Sequence, residues 1–318
     1  MAGLTGPTRD GRTSQAIHMS ILTLNNITKF YGPIQALNKV SLEVPEGAVF
    51  GILGPNGSGK TTMLGIVTDV LKATEGNFLW FDQPPAPEHR RKIGTLLETP
   101  NFYHYLSGER NLRIAAEIKG HGIENIPSVL KRVNLWERKD SKFSTYSLGM
   151  KQRLALASCL LGDPPVMVFD EPTNGLDPVG IMETRDLIKR LAKEGKTIIL
   201  ASHLLDEVEK VCSHVAILQR GKLIAAGHVD EVLVNEDIAE IGATDVVKLE
   251  QILRNTNGWK EIRKEGDLIQ MFFPIGTASL ESINEYCFKN GVTLNHLQLK
   301  KKSLEVKFFE LTQSSNSK

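Results

Sequence analysis

The nine residues Gly54-Pro-Asn-Gly-Ser-Gly-Lys-Thr-Thr62 constrain this chain more than any other stretch. Glycines at 54, 57 and 59 let a backbone without Cβ atoms curl tightly and aim successive N–H groups at one anion. The apolar run Ala48–Leu53, "AVFGIL", precedes the loop and reads as a buried strand. Met63, Ile66, Val67, Val70 and Leu71 follow it at helical spacing. Strand, glycine loop and helix in that order predict an α/β domain with a phosphate cradle at a strand's carboxyl end. The cradle comprises Gly54, Pro55, Asn56, Gly57, Ser58, Gly59, Lys60, Thr61 and Thr62. Lys60 can reach the outer phosphates of a nucleotide, and the Thr61 hydroxyl can ligate Mg²⁺.

The flanking pattern agrees. Val40, Leu42 and Val44 alternate with polar residues within a strand-like stretch from Ile21 to Val44. "VMVF" (166–169), "TIIL" (197–200) and "VAIL" (215–218) are short apolar strands separated by helical periodicities such as Leu204, Leu205, Val208, Val211 and Cys212. Strands alternating with helices imply a mostly parallel sheet covered on both faces. Residues from about 104 to 142 are charge-rich and helical, and with the next helix they form an insertion reaching about 160. Beyond 240 the predicted order is β-α-β-β-α-β: a strand over 245–249, a helix over 251–256, two strands across Glu265-Gly266-Asp267, a helix over 280–289 and a strand over 292–299. That order is ferredoxin-like.

Two acids close the strand "VMVF". Asp170 at its tip is placed to hold Mg²⁺, and Glu171 can polarise an attacking water. On their own, two such acids serve equally well as solvated turn residues. The phosphate loop upstream is what favours chemistry.

Further along, "FSTYSLGMKQR" (143–153) is a second polar, glycine-containing turn running into an apolar helix. It has the form of another anion-binding helix start, or of a helix capped by Ser147.

Composition limits the alternatives. A net charge of +1 gives no global field for nucleic acid, so none is expected as a partner. The run Lys300-Lys301-Lys302 reads as a solvated strand end. Cys159, Cys212 and Cys287 show no metal-ligand spacing, and a reducing compartment suits them. No segment has the roughly 18 consecutive apolar residues of a membrane span. Residues 1–18 lack a signal peptide's apolar core and read as a disordered leader before a working start near Met19.

Together these motifs resemble the ATP-binding cassette (ABC) ATPases over roughly Ile21 to Asp230. The resemblance implies a P-loop NTPase cassette with a mostly parallel sheet, an antiparallel β subdomain and a helical subdomain, here followed by a small ferredoxin-like α+β domain. The expected divisions are a cassette over 19–240, an accessory domain over 241–312 and a disordered tail over 313–318. It implies ATP and Mg²⁺ as ligands and ATP hydrolysis as the reaction. Glu171 matches the general base, His203 in "LASH" the switch histidine, Tyr31 in "KFYG" the adenine-stacking aromatic, and Asp177 in "NGLD" the acid of an inter-subunit loop. Ser147 and Gly149 match the signature loop, which in this family completes the γ-phosphate site of a second, head-to-tail cassette.

Three positions depart from the family pattern. Leu148 and Met150 replace a glycine and the glutamine of the signature, and Glu98 stands where a glutamine normally faces Mg²⁺ and water. Glu98-Thr-Pro, the altered signature and the ending "KSLEVKFFELT" (302–312) resemble the type-two exporter ATPases of the bacitracin and lantibiotic resistance kind. The resemblance then implies a separate transmembrane permease, a second identical or paralogous cassette, and a place on the cytoplasmic face of the membrane. An importer ATPase or a soluble ABC ATPase is the alternative reading.

Overall fold

A computed structural model describes residues 19–97, 101–233, 236–274, 276–301 and 308. The leader, Glu98 and the ending 302–318, apart from Phe308, lie outside the described residues. The chain opens with a hairpin, β1 (Ser20–Tyr31) and β2 (Ile34–Pro45), followed by β3 (Val49–Leu53), the phosphate loop and α1 (Lys60–Val67). Next come β4 (Glu75–Trp80), α2 (Pro87–Arg91), β5 (Ile93–Leu96) and the helices α3 (Gly108–Lys119), α4 (Ile126–Arg132) and α5 (Leu148–Leu160). The α/β alternation resumes with β6 (Val166–Asp170), α6 (Pro178–Lys193), β7 (Thr197–Ser202), α7 (Leu205–Val211), β8 (His214–Gln219), β9 (Lys222–His228) and α8 (Val229–Leu233). The last part is β10 (Glu236–Ala243), α9 (Val246–Arg254), β11 (Glu261–Glu265), β12 (Leu268–Pro274), α10 (Leu280–Lys289) and β13 (Leu294–Lys301).

Among the described residues the strands form three sheets. The central one has the order β5-β6-β7-β3-β8-β9, parallel except for the antiparallel edge strand β9. Its strands β3, β6 and β7 are buried along their whole length, as continuous apolar runs covered on both faces must be. One face packs on the antiparallel sheet β2-β1-β4 and α1, through Leu24, Val40, Phe50, Ile66 and Val168. The other packs on the helical side, through Leu112, Leu130, Leu156, Phe169 and Leu187. Trp80 ties the antiparallel sheet to the loop-bearing helix: its buried indole N–H donates to the Val67 carbonyl at 2.7 Å.

The third sheet is fully antiparallel in the order β11-β12-β10-β13, the ferredoxin-like arrangement of a βαββαβ chain. Its first two elements differ from expectation. The first strand is Glu236–Ala243, not 245–249, and it begins ahead of the expected division at 241. The helix is Val246–Arg254, because the Asp245 side chain accepts from the Lys248 N–H and caps a helix there. Leu249 and Leu253 of that helix then meet Ala239, Ile241, Ile269 and Met271 of the sheet, with Ile283 and Cys287 from α10. All three cysteines are buried and free. Burial pushes the Cys159 thiol up to about 12 and raises those of Cys212 and Cys287 as well.

The opposite face of this sheet carries a buried charge. Glu240, 4% exposed, accepts from Lys300 at 2.8 Å and Gln270 at 3.0 Å, and lies 3.6 Å from His296. Lys300 of the basic run is therefore an ion-pair partner as well as a strand end. Burial opposes the Glu240 charge, but these hydrogen bonds and the Lys300 and His296 charges outweigh it and hold the carboxyl below its ordinary value. A carboxyl held low adds stability above its ordinary value of 4.5 and loses it as pH falls through the depressed one. Acid unfolding followed from pH 6 to pH 2 should therefore show a loss of stability starting near pH 4.5 that Glu240→Gln removes. An unchanged acid limb in the variant would contradict this account of Glu240.

Candidate functional site

The parallel register brings the reactive residues to one edge of the sheet. Asp170 pairs with Ala201, and Leu53 with Ser202, so the tips of β6, β7 and β3 stand side by side. The phosphate loop, the tandem acids and His203 leave the sheet from these three tips. Ligands of open parallel sheets bind outside such carboxyl ends.

The loop is held from outside. A Cβ on Gly54 would lie 2.4 Å from the Leu218 carbonyl oxygen, and one on Gly59, at φ +105°, would lie 2.7 Å from that of Ala36. At Gly57, also at positive φ, a Cβ would meet nothing within 4 Å, which leaves the inner face of the loop open to a ligand. The Ser58 hydroxyl is buried without a hydrogen-bond partner among the described residues. The Lys60 ammonium is buried, donates to the Gly54 carbonyl at 2.8 Å and stands 3.6 Å from Glu171 Oε1.

Glu171 is the hub. Its φ is +46°, a left-handed conformation that a glutamate adopts only when its surroundings hold it there. Here its N–H donates to the Ala201 carbonyl at 3.0 Å, and its Oε2 accepts from His203 Nδ1 at 2.8 Å. Nδ1 is the donor because a carboxylate only accepts. The carboxylate thus bridges Lys60 and His203 and faces a cleft of about 540 Å³ lined by Thr61, Asp170, Asn174, Leu148, Lys151 and Gln152, among others. A second groove, about 510 Å³, shares Thr61 and Glu171 with this cleft and runs along Lys60, Asn56, Gly57 and Thr62 to Ile34 and Gln35.

The remaining expected residues are placed as follows. Tyr31 is 43% exposed at the end of β1, paired with Ile34, with the Lys29 ammonium 5.1 Å from its ring centroid. Ser147 caps α5 by accepting from the Met150 N–H at 3.3 Å. Gly149 is open, since a Cβ there would meet only Leu176 at 4.0 Å. Ser147 and Gly149 are not among the residues lining the cleft, whereas the departing residue Leu148 is. Asp177 caps α6 by accepting from the Gly180 N–H at 2.9 Å.

Gln152 was missed as a site residue. Its buried side chain donates to the Pro172 carbonyl at 2.9 Å and links the signature helix to the turn after the acids. The only signal was its place three residues after Gly149. No sequence signal pointed to the left-handed Glu171.

A phosphate-cradling loop, a buried lysine and a histidine-oriented glutamate at adjacent parallel strand tips define a nucleoside-triphosphate-hydrolysing cassette. The ABC transporter family matches residues 37–174. The ABC transporter ATP-binding protein YhcH of Bacillus subtilis is 37% identical, over 92% of this chain and 96% of its own length. The bacitracin transport ATP-binding protein BcrA of Bacillus licheniformis is 35% identical, over 92% of this chain and 97% of its own. Among solved structures, a dimeric post-hydrolysis state of the ATP-binding cassette MJ0796 bound to ADP and Pi superposes with a TM-score of 0.59. It is 29% identical, covering 65% of this chain and 98% of that one. The chain belongs to the ABC transporter ATP-binding family. It binds ATP and hydrolyses it.

Proposed function

We propose that this chain is the energy-coupling subunit of an ABC exporter for antimicrobial peptides or similar compounds. It would work as one of two cassettes on a separate transmembrane permease, at the cytoplasmic face of the membrane. The observation that carries the catalytic part is the Lys60–Glu171–His203 arrangement at the strand tips. In this reading the loop N–H groups and Lys60 bind and orient the phosphates. The Glu171 carboxylate then takes a proton from the water attacking the γ-phosphorus as the bond to the β–γ bridging oxygen breaks. His203 keeps that carboxylate aimed and is the proposed contact of the γ-phosphate.

Among the described residues no group of three or more His, Cys, Asp or Glu side chains could hold a metal by itself. Thr61 and Asp170, both lining the cleft, are hard oxygen donors of the kind Mg²⁺ takes when the substrate's phosphates supply further ligands. They fit that ion, which when bound neutralises charge on the phosphate oxygens. Glu98 is the third proposed ligand, by resemblance alone, as it lies outside the described residues. Tyr31 is the proposed adenine platform.

Ser147, Gly149 and Asp177 are proposed to serve a second cassette. The half-buried, sterically open Gly149 beside a capped helix start supports this, because nothing among the described residues requires glycine there. For the permease, the proposed socket is a groove of about 320 Å³ lined by Phe102, Tyr103, Ile114, Ala115 and Ile118 together with the polar Asn101 and Asn111, a mixed lining that a helix with both apolar and polar side chains can fill. Ile118 beside it is 82% exposed. The relative BcrA, a bacitracin transport protein, supports export. Among the described residues no helix is long and apolar enough to cross a membrane, which is consistent with a permease on another chain.

Two measurements test this. Glu171→Gln should lower ATP turnover by about 10²–10⁴ while ATP binding persists; turnover within a few-fold of the parent would remove Glu171 as base. Ile118→Asp should abolish co-purification of the membrane subunit without changing nucleotide affinity. Retention of that subunit by the variant would place the permease elsewhere.

A further inference from the structure

The turn between β8 and β9 contains an unusual residue. Arg220 and Gly221 form a two-residue hairpin loop with φ of +48° and +76°. Two left-handed central residues make the turn type that favours Asn-Gly or Gly-Gly. An arginine in its first central position is strained, and such outliers collect at functional sites.

The turn is also bound to the phosphate loop. The Gly221 N–H donates to the Ser58 carbonyl at 3.0 Å, and its own carbonyl accepts from the Asn38 N–H at 2.8 Å. The glycines pack closely, a Cβ on Gly59 lying only 3.7 Å from the Gly221 Cα. The arginine is thus held beside the loop, and it lines the groove shared by Asn56, Gly57, Thr62, Ile34 and Gln35. It is exposed and forms no ion pair or hydrogen bond through its guanidinium with any described residue. Lys60, the other cation lining this groove, is already engaged by the Gly54 carbonyl and Glu171.

We infer that Arg220 is a nucleotide-binding residue whose guanidinium pairs with the α-phosphate and ribose portion of ATP or ADP. This rests on the reading of the groove as the nucleotide site. The triphosphate end is set by Lys60 and Glu171, and the base end by the β1–β2 hairpin that carries Tyr31 and Ile34. Arg220 lines the same groove as Lys60, Glu171 and Ile34. A guanidinium makes forked, charge-assisted hydrogen bonds to phosphate oxygens and is the side chain best suited to that position.

The test is calorimetric binding of ATP and of ADP to the full chain carrying Arg220→Asn, with Lys60→Ala in parallel. Asparagine suits the turn, so the thermal midpoint should hold or rise. The dissociation constant should rise about fivefold for both nucleotides, since both keep the α-phosphate. Unchanged affinity, a loss confined to ATP, or a loss accompanied by a lower thermal midpoint would each overturn the assignment. If Lys60→Ala also bound both nucleotides normally, the groove itself would be misread; if only Arg220→Asn did, the error would be confined to the arginine.

Discussion

Everything in the catalytic cleft depends on the parallel pairing of β7 with both β6 and β3. That pairing places Asp170 opposite Ala201 and Leu53 opposite Ser202, so three chain reversals occur within one narrow strip of the sheet. Slipping one strand by one residue would send every side chain of that strand to the other face. The full burial of Val166–Asp170 and Thr197–Ser202 makes such a slip costly. The polar groups at the tips inherit their precision from an apolar layer that takes no part in the chemistry.

On that base the cleft is held in a conformation the chain would not adopt locally. Glu171 is left-handed and is fixed by one backbone hydrogen bond to β7 and one side-chain hydrogen bond to His203. The loop is clamped by carbonyls of β2 and β8 that leave room only for glycine at 59 and 54. These constraints pre-order the groups proposed to meet the phosphates, which is how a site avoids reorganising its own dipoles during reaction.

Much of this was legible in the residues, and the failures have physical causes. Gly54–Thr62 between an apolar strand and a helix is a local pattern with little alternative use, and it is what gives the two acids ending an apolar run a chemical reading rather than that of a solvated turn. His203 was legible only by its distance from those acids; its bond to Glu171 depends on a register that no single segment reveals. The misplaced strand is instructive. "VVKLE" after Asp245 has β-branched residues that suggest extension, yet the Asp245 cap and the Leu249–Leu253 spacing make it a helix. Meanwhile Glu236–Ala243 buries Glu240 on the face away from its apolar core, and a charged residue at a buried position hides a strand's alternation unless its partner, Lys300, is known.

The proposed division of the ATP site between two chains is the claim on which the functional account turns. It is tested most directly by light scattering of the full chain with Mg²⁺ and either ADP or a non-hydrolysable ATP analogue. The account predicts the mass of a single chain with ADP and twice that mass with the analogue. An identical mass in both nucleotides would contradict it.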